Sequence, residues 1–146
     1  MMCAESQPEQ ARLIYRRMLS DEEGQLKILF VTPERIAKSK RLLSSLEKAY
    51  NCERFARIVV DEVHCSSQWG NDFRPDYRAL GVLKRQFPTV PLLGLTATAS
   101  PAVVQDIKTI LSLSICTVIF RGPMTRYNLV YQVILLYVSR LLLRSR

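Results

Sequence analysis

Two adjacent carboxylates follow a short apolar run near the middle of the chain. Arg57–Val60 reads R-I-V-V, Asp61 and Glu62 come directly after it, and His64 lies two residues further on. An Asp at the end of a buried strand can hold Mg²⁺, directly or through water, because this hard cation prefers oxygen ligands. A neighbouring Glu can orient or deprotonate the water that attacks a γ-phosphate. The pair is therefore a candidate for phosphate chemistry, and a solvent-facing acidic strand end or an N-cap is the alternative.

A second polar cluster ends another apolar run. Pro91–Thr98 reads P-L-L-G-L-T-A-T and carries the hydroxyls of Thr96 and Thr98. In an open parallel sheet, ligands bind at the carboxyl ends of the strands, so both clusters are expected at the same edge. Ordinary capping of a strand end by hydroxyl groups is the alternative for the two threonines.

The loop after the carboxylates carries Trp69, Phe73 and Arg74. Aromatic faces stack on nucleic-acid bases with about 1–3 kcal/mol per base, and arginine adds phosphate or cation–π contacts. Core packing is the alternative for the two aromatic side chains. Their polar neighbours argue against a buried stripe: Ser66, Ser67, Gln68, Gly70, Asn71 and Asp72.

Strand-like and helix-like segments alternate along the chain. Apolar, β-branched runs predict strands over Lys27–Thr32, Arg57–Val60, Pro91–Thr98, Cys116–Phe120 and 129–136. Apolar spacing, N-caps and prolines predict helices over Glu9–Leu19, Glu34–Tyr50, 76–87 and 101–111. Thr32 and Ser100 are the predicted N-caps before Pro33 and Pro101. This alternation predicts an α/β fold, a three-layer sandwich with a mainly parallel sheet.

Composition narrows the function classes. The 146 residues hold 21 Lys+Arg and 13 Asp+Glu, a net charge of +8, with 48% hydrophobic residues. One globular domain is expected, and a wholly disordered chain is excluded. The net positive charge indicates a nucleic acid or another polyanion as the binding partner, and a solvated basic surface is the alternative. Arg35–Arg57, with seven Lys/Arg against two Glu, leaves the same two interpretations open.

The sequence gives little indication of a structural zinc site, a signal peptide or a membrane span. Four cysteines without C-x-x-C spacing and one histidine do not make a structural zinc site, and a reduced protein is expected. The first ten residues contain no apolar run, so no signal peptide is predicted. Val133–Leu143 is too short for a bilayer span and is interrupted by Arg140, so we expect a soluble chain.

Three motifs resemble those of RecQ helicases, in the order found in that family. Asp61–Tyr77, D-E-V-H-C-S-S-Q-W-G-N-D-F-R-P-D-Y, resembles the DEAH-type Walker B motif and the aromatic-rich loop. Gly94–Ala99, G-L-T-A-T-A, is similar to motif III, and Val31–Arg35, V-T-P-E-R, to the T-P-E motif. The resemblance covers about Leu26–Val133, and the segments between the motifs look most like a small animal member of the family.

The resemblance implies roles at the nucleotide. Asp61 would coordinate the Mg²⁺ of bound ATP, and Glu62 would be the catalytic carboxylate for its hydrolysis. His64 would link that site to DNA-dependent movement, and Thr96 and Thr98 would relay between nucleotide and DNA. A loop histidine with satisfied hydrogen bonds is the alternative for His64.

The resemblance also implies a DNA-contacting set. Gln68 would share the relay with His64, and Trp69, Phe73 and Arg74 would sense single-stranded DNA. Thr32 and Arg35 would lie along the DNA groove, with a plain helix N-terminus as the alternative.

The resemblance implies an ATP-dependent 3′-to-5′ DNA helicase of the nucleus, acting in repair or recombination on single-stranded or forked DNA. The 146 residues contain no G-x-x-x-x-G-K-[ST] loop, so we expect a partial RecA-like (P-loop NTPase) domain over 1–133, a divergent tail over 134–146, and no ATP hydrolysis by the chain alone. A non-catalytic single-stranded DNA-binding or interaction module is the alternative function, and a non-functional fragment is a third.

Overall fold

The structure is a computed structural model that describes residues 8–20, 26–70, 72–123 and 125–134. Its helices are α1 (Pro8–Met18), α2 (Pro33–Lys38), α3 (Lys40–Asn51), α4 (Pro75–Arg78), α5 (Gly81–Gln86) and α6 (Pro101–Ile110). Its strands are β1 (Ile58–Val60) and β2 (Leu92–Gly94), and a 3₁₀ helix covers Val63–Ser66.

The two strands pair in parallel, which confirms the predicted α/β character in part. Ile58 lies opposite Leu92 and Val60 opposite Gly94. The 3₁₀ helix, α4 and α5 form the crossover between the strands. Ile58 and Val60 are buried, whereas Val59 on the opposite face is 54% exposed. The described residues therefore cover one face of this strand pair, and the three-layer sandwich is not formed among them.

Two of the predicted strands are wrong within the described residues. The segment 27–32 contributes one isolated bridge at Val31, and Ile28 and Phe30 are about 70% exposed, at 70% and 68%. Cys116–Phe120 has no strand, and Phe120 is 89% exposed. An apolar, β-branched run indicates a strand only where a second strand completes its hydrogen bonds. The predicted strand over 129–136 is also absent over 129–134, and residues 135 and 136 lie outside the described ranges.

Two predicted helices are each split in two. Ser39 takes an extended backbone conformation between α2 and α3, and its hydroxyl accepts the N–H of Leu42 at 3.2 Å. Serine competes for backbone groups in this way, which favours a cap over a helix interior. Between α4 and α5, Leu80 N–H donates to Tyr77 and Leu83 N–H to Leu80, each three residues back. This tighter pattern interrupts the α-helix predicted over 76–87.

The remaining helix predictions are confirmed to within two residues at either end. α1 and α6 lie where the periodicity places them, and Ser100 caps α6 by accepting the N–H of Val103 at 3.3 Å. Thr32 occupies the N-cap position of α2 without a side-chain capping bond. Among the described residues, no helix has both the length and the apolar character to cross a bilayer.

The core lies between the helices and the covered face of the strand pair. Leu42 of α3, Phe87 after α5 and Leu111 after α6 are at most 1% exposed. Phe87 packs against the rings of Tyr50 and Phe55, with ring centroids 5.3 and 5.2 Å away. Phe55 precedes β1 and Phe87 precedes β2, so this packing secures the amino ends of the strand pair.

Candidate functional site

The ends of β1 and β2 bring the two polar clusters together. Leu95 N–H donates to Val60 O and Val63 N–H donates to Leu95 O, both at 2.9 Å. These bonds extend the pairing beyond the strands and hold the chain on either side of Asp61 and Glu62. The two carboxylates are exposed at the carboxyl end of the parallel pair.

Glu62 forms the sharp turn between β1 and the 3₁₀ helix. It adopts the left-handed conformation, with φ 48° and ψ 43°, which is uncommon for a residue with a side chain. Its N–H donates to Oδ1 of Asp61 at 2.9 Å. Its carboxylate lies near the histidine two residues later, with Oε2 3.3 Å from Nδ1 of His64.

His64 joins the two clusters directly. Its Nδ1 lies 2.8 Å from Oγ1 of Thr96 as well as 3.3 Å from the Glu62 carboxylate. Thr96 Oγ1 donates its hydrogen to the carbonyl of Thr98 at 3.3 Å and accepts the N–H of Thr98 at 3.1 Å. A carboxylate only accepts, so the contact with Glu62 favours the tautomer with the proton on Nδ1, and the Thr96 hydroxyl, which can donate or accept, is compatible with it. In the neutral ring, Nε2 then carries the lone pair.

The aromatic-rich loop presents Trp69 to solvent. Its side chain is 77% exposed, which confirms that it does not pack in the core. Gln68 and Arg74 are exposed, and Phe73 is half-buried. Asn71 lies outside the described residues. The loop therefore presents one exposed aromatic side chain and one exposed arginine to solvent.

A buried serine anchors this loop to α6. Ser67 is fully buried, and its hydroxyl donates to Oδ2 of Asp106 at 2.6 Å while accepting the N–H of Trp69 at 3.2 Å. Sequence reasoning placed no function on Ser67 or Asp106. The two are 39 residues apart, and no local pattern marks such a pair. Together they fix the backbone from which Trp69 projects.

The far end of the loop is tied back to the 3₁₀ helix. Arg74 N–H donates to the carbonyl of Cys65 at 2.8 Å, and its guanidinium pairs with Asp72 at 2.9 Å. This pairing holds the pKa of Asp72 below its ordinary value and raises the pKa of Arg74. Burial raises the pKa of the Cys65 thiol, which lies 3.6 Å from Oδ2 of Asp72.

The start of α2 lies beside this loop because α2 packs against α4. Arg35 is half-buried, and its Nε has no hydrogen-bond partner among the described residues. A hydrogen bond from its own backbone N–H lowers the pKa of Glu34, with smaller contributions that include the charges of Lys38 and Arg74. Thr32 and Arg35 are thus near the loop, while Thr96 and Thr98 lie with His64.

The sequence profile of the DEAD/DEAH box helicase family matches residues 3–107. The chain is 52% identical over 133 residues to "ATP-dependent DNA helicase Q1" of Pongo abelii, covering 91% of this chain and 20% of that protein. Identity to the protein of the same name from Mus musculus is 50%, with the same coverage. Identity to "RecQ-like DNA helicase BLM" of Xenopus laevis is 47% over 116 residues, covering 80% of this chain and 8% of that protein.

The chain thus spans about a fifth of the length of the two helicase Q1 proteins it matches, at 20% of each. The matched region contains the carboxylates, the histidine and the aromatic-rich loop. The chain is similar to RecQ-type helicases over most of its length, and it belongs to the DEAD/DEAH box helicase family.

Proposed function

We propose that this chain is part of the first motor domain of a RecQ-type, ATP-dependent DNA helicase. The observation that carries the proposal is the hydrogen-bonded path from Glu62 through His64 to Thr96. It connects the carboxylates after β1 with the hydroxyls after β2, at the strand edge where ligands of parallel sheets bind. The family assignment and the names of the relatives support the same conclusion.

On the nucleotide side, Asp61 and Glu62 fit a magnesium-bound triphosphate. Both offer exposed carboxylate oxygens, the ligand type that Mg²⁺ prefers. In this proposal Asp61 holds Mg²⁺, which neutralises charge on the phosphates when it is bound. Glu62 orients and deprotonates the attacking water, and Thr96 and Thr98 complete the edge of the nucleotide site.

On the DNA side, the exposed Trp69 ring stacks on an unpaired base. Arg74 and Arg35 supply positive charge along the strand, Phe73 and Thr32 line the same path, and Gln68 connects it with His64. Ser67 N–H donates to the carbonyl of His64 at 3.1 Å, and in this proposal that bond couples the loop to the histidine. The proposed partner is single-stranded or forked DNA. The proposed activity is 3′-to-5′ unwinding in repair or recombination, and the proposed location is the nucleus.

The 146 residues contain a Walker B segment but no Walker A loop. The backbone N–H cradle and the lysine that grip the β- and γ-phosphates are therefore not supplied by these residues. We propose that 1–133 is a partial ATP-binding domain with 134–146 as a separate tail, and that the chain by itself does not turn over ATP. The exposed Trp69 and the net charge of +8 favour a second candidate for the chain alone, a single-stranded DNA-binding module.

Binding of a fluorescein-labelled oligothymidine, followed by anisotropy, tests the DNA side. Trp69→Ala should weaken binding about 5- to 150-fold, since stacking is worth about 1–3 kcal/mol per base. Tyr127→Ala is the matched control, because Tyr127 is another exposed aromatic residue, at 94%, outside the proposed site. Equal effects of the two substitutions would reject the assignment of the loop.

DNA-stimulated phosphate release by the same chain tests the nucleotide side, with Glu62→Gln as the control. The proposal expects no release above this control. Release that the substitution abolishes would mean that these residues complete a nucleotide site without a Walker A loop.

A further inference from the structure

Three metal-ligating side chains converge beside the aromatic-rich loop. A ring nitrogen of His64, Sγ of Cys65 and a carboxylate oxygen of Asp72 all lie within 4.8 Å of one another, and Nε2 is the ring nitrogen in contact with Sγ. Sγ of Cys65 is 3.7 Å from Nε2 and 3.6 Å from Oδ2 of Asp72. None of these three atoms is used by the path from Glu62 to Thr96, which runs through Nδ1.

These distances suit a tetrahedral ion. With Zn–S of about 2.3 Å and Zn–N and Zn–O of about 2.0–2.1 Å, ligand atoms of a tetrahedral zinc lie about 3.4–3.6 Å apart. The two measured separations from Sγ differ from this range by about 0.1 Å at most. Only the distance between the His64 ring nitrogen and the Asp72 carboxylate has to shorten for an ion to bind. Asp72 is on an exposed loop where its side chain can move.

Within the cluster, only the Cys65 thiol has a hydrogen to donate. With the ring proton on Nδ1, Nε2 of neutral His64 is an acceptor, and the Asp72 carboxylate, which already accepts from Arg74 at 2.9 Å, is an acceptor as well. The single S–H of Cys65 can donate to only one of them at a time. A cation placed among the three atoms would satisfy all of them together.

His64 is held as metal-binding histidines are held. Metal ligation by one ring nitrogen is usually supported by a carboxylate or carbonyl that accepts from the other nitrogen. Here Glu62 accepts from Nδ1 at 3.3 Å and Thr96 lies 2.8 Å from it. The ring therefore presents Nε2 towards Cys65 without further rearrangement.

We propose that His64, Cys65 and Asp72 form a site for a thiophilic divalent cation of the Zn²⁺ type, with water as the fourth ligand. On binding, Cys65 loses its proton to solvent as the bond from sulfur to metal forms, and no oxidation occurs. Arg74 competes for Asp72 through its ion pair at 2.9 Å. Because the ligands come from the 3₁₀ helix and from the loop, the ion ties the two together.

Titration of the chain with Co²⁺ under reducing conditions tests the site by absorption spectroscopy. A thiolate bound to Co²⁺ gives a charge-transfer band, and tetrahedral coordination gives strong visible d–d bands. We expect one Co²⁺ per chain, displaced by Zn²⁺. Cys65→Ala should abolish the bands, while Cys52→Ala and Cys116→Ala, which remove exposed cysteines, should retain them.

Two loop substitutions keep the test decisive if Cys65→Ala fails to fold. Asp72→Asn should weaken Co²⁺ binding at least tenfold, and Arg74→Gln should strengthen it by freeing the Asp72 carboxylate. Glu47→Gln on α3 is the charge-matched control and should leave binding unchanged. The proposal would be overturned if the Co²⁺ bands remained in Cys65→Ala, or if neither Asp72→Asn nor Arg74→Gln changed Co²⁺ binding.

Discussion

Ser67 and Asp106 are joined by a hydrogen bond of 2.6 Å that ties the aromatic-rich loop to α6. Ser67 is fully buried, and its oxygen also accepts the N–H of Trp69. This arrangement explains how Trp69, whose side chain is 77% exposed, projects from a backbone that is held in place.

Ser67→Ala should lower the free energy of unfolding by about 1–3 kcal/mol, because it leaves the Asp106 carboxylate and the Trp69 N–H without their buried partner. Urea denaturation followed by circular dichroism measures the change. Ser44→Ala, at an exposed serine of α3, should change stability by less than about 0.5 kcal/mol. Equal stability of the two variants would show that the buried bond contributes nothing.

His64 should exist mainly as the tautomer with the proton on Nδ1 when it is neutral. The Glu62 carboxylate accepts only and requires a donor at that nitrogen, and the Thr96 hydroxyl can accept from it as well. Because the chain has a single histidine, its ¹⁵N signals are assigned without ambiguity. Nε2 should show the shift of an unprotonated ring nitrogen, and Thr96→Val together with Glu62→Gln should move population towards the other tautomer. A dominant Nε2–H form in the unsubstituted chain would contradict the proposed path.

The left-handed turn at Glu62 costs stability. Glu62→Gly should raise the free energy of unfolding by up to about 1 kcal/mol, since relief of the left-handed strain exceeds the added freedom of the unfolded chain. Glu47→Gly in α3 makes the same chemical change in a helix and should lower it by about 1 kcal/mol. Thermal unfolding of both variants measures whether each substitution raises or lowers the free energy of unfolding. If both substitutions lowered it, the Glu62 conformation would store no strain.

The ion pair of Asp72 with Arg74 makes stability depend on pH at the acid end. The guanidinium lowers the pKa of Asp72 from its ordinary 3.8, so the folded state binds this proton less readily than the unfolded chain. Its contribution is present above about pH 4 and is lost as the pH falls through the lower, folded-state pKa. Asp72→Asn should remove this part of the acid dependence in urea titrations at successive pH values, with Asp76→Asn as the control. Identical acid profiles for the unsubstituted chain and Asp72→Asn would contradict it.

The sequence predicted the local features of the site well. Asp61 and Glu62 follow a strand that exists, Ser100 caps the helix it was expected to cap, and Trp69 is exposed. Each of these depends on a few neighbouring residues, on alternation or on a capping preference. The functional roles of the same residues rest on the resemblance to RecQ helicases and remain predictions.

Features that depend on distant partners were not predictable in the same way. The apolar run before Thr32 forms no strand, because strand formation requires a neighbouring ladder that its own residues do not specify. The bond between Ser67 and Asp106 and the approach of Asp72 to Cys65 arise from loop geometry. The break at Ser39 could have been anticipated from the preference of serine for N-caps.

The single tryptophan of the chain allows DNA contact by the aromatic-rich loop to be measured directly. Its emission, measured while single-stranded oligothymidine is added at several salt concentrations, reports stacking on Trp69 itself. If Trp69 stacks on the bases, its emission should be quenched in parallel with DNA binding, and the quenching should weaken as salt rises. DNA binding seen by anisotropy without any change in tryptophan emission would contradict the assignment of the aromatic-rich loop as the DNA-contacting element.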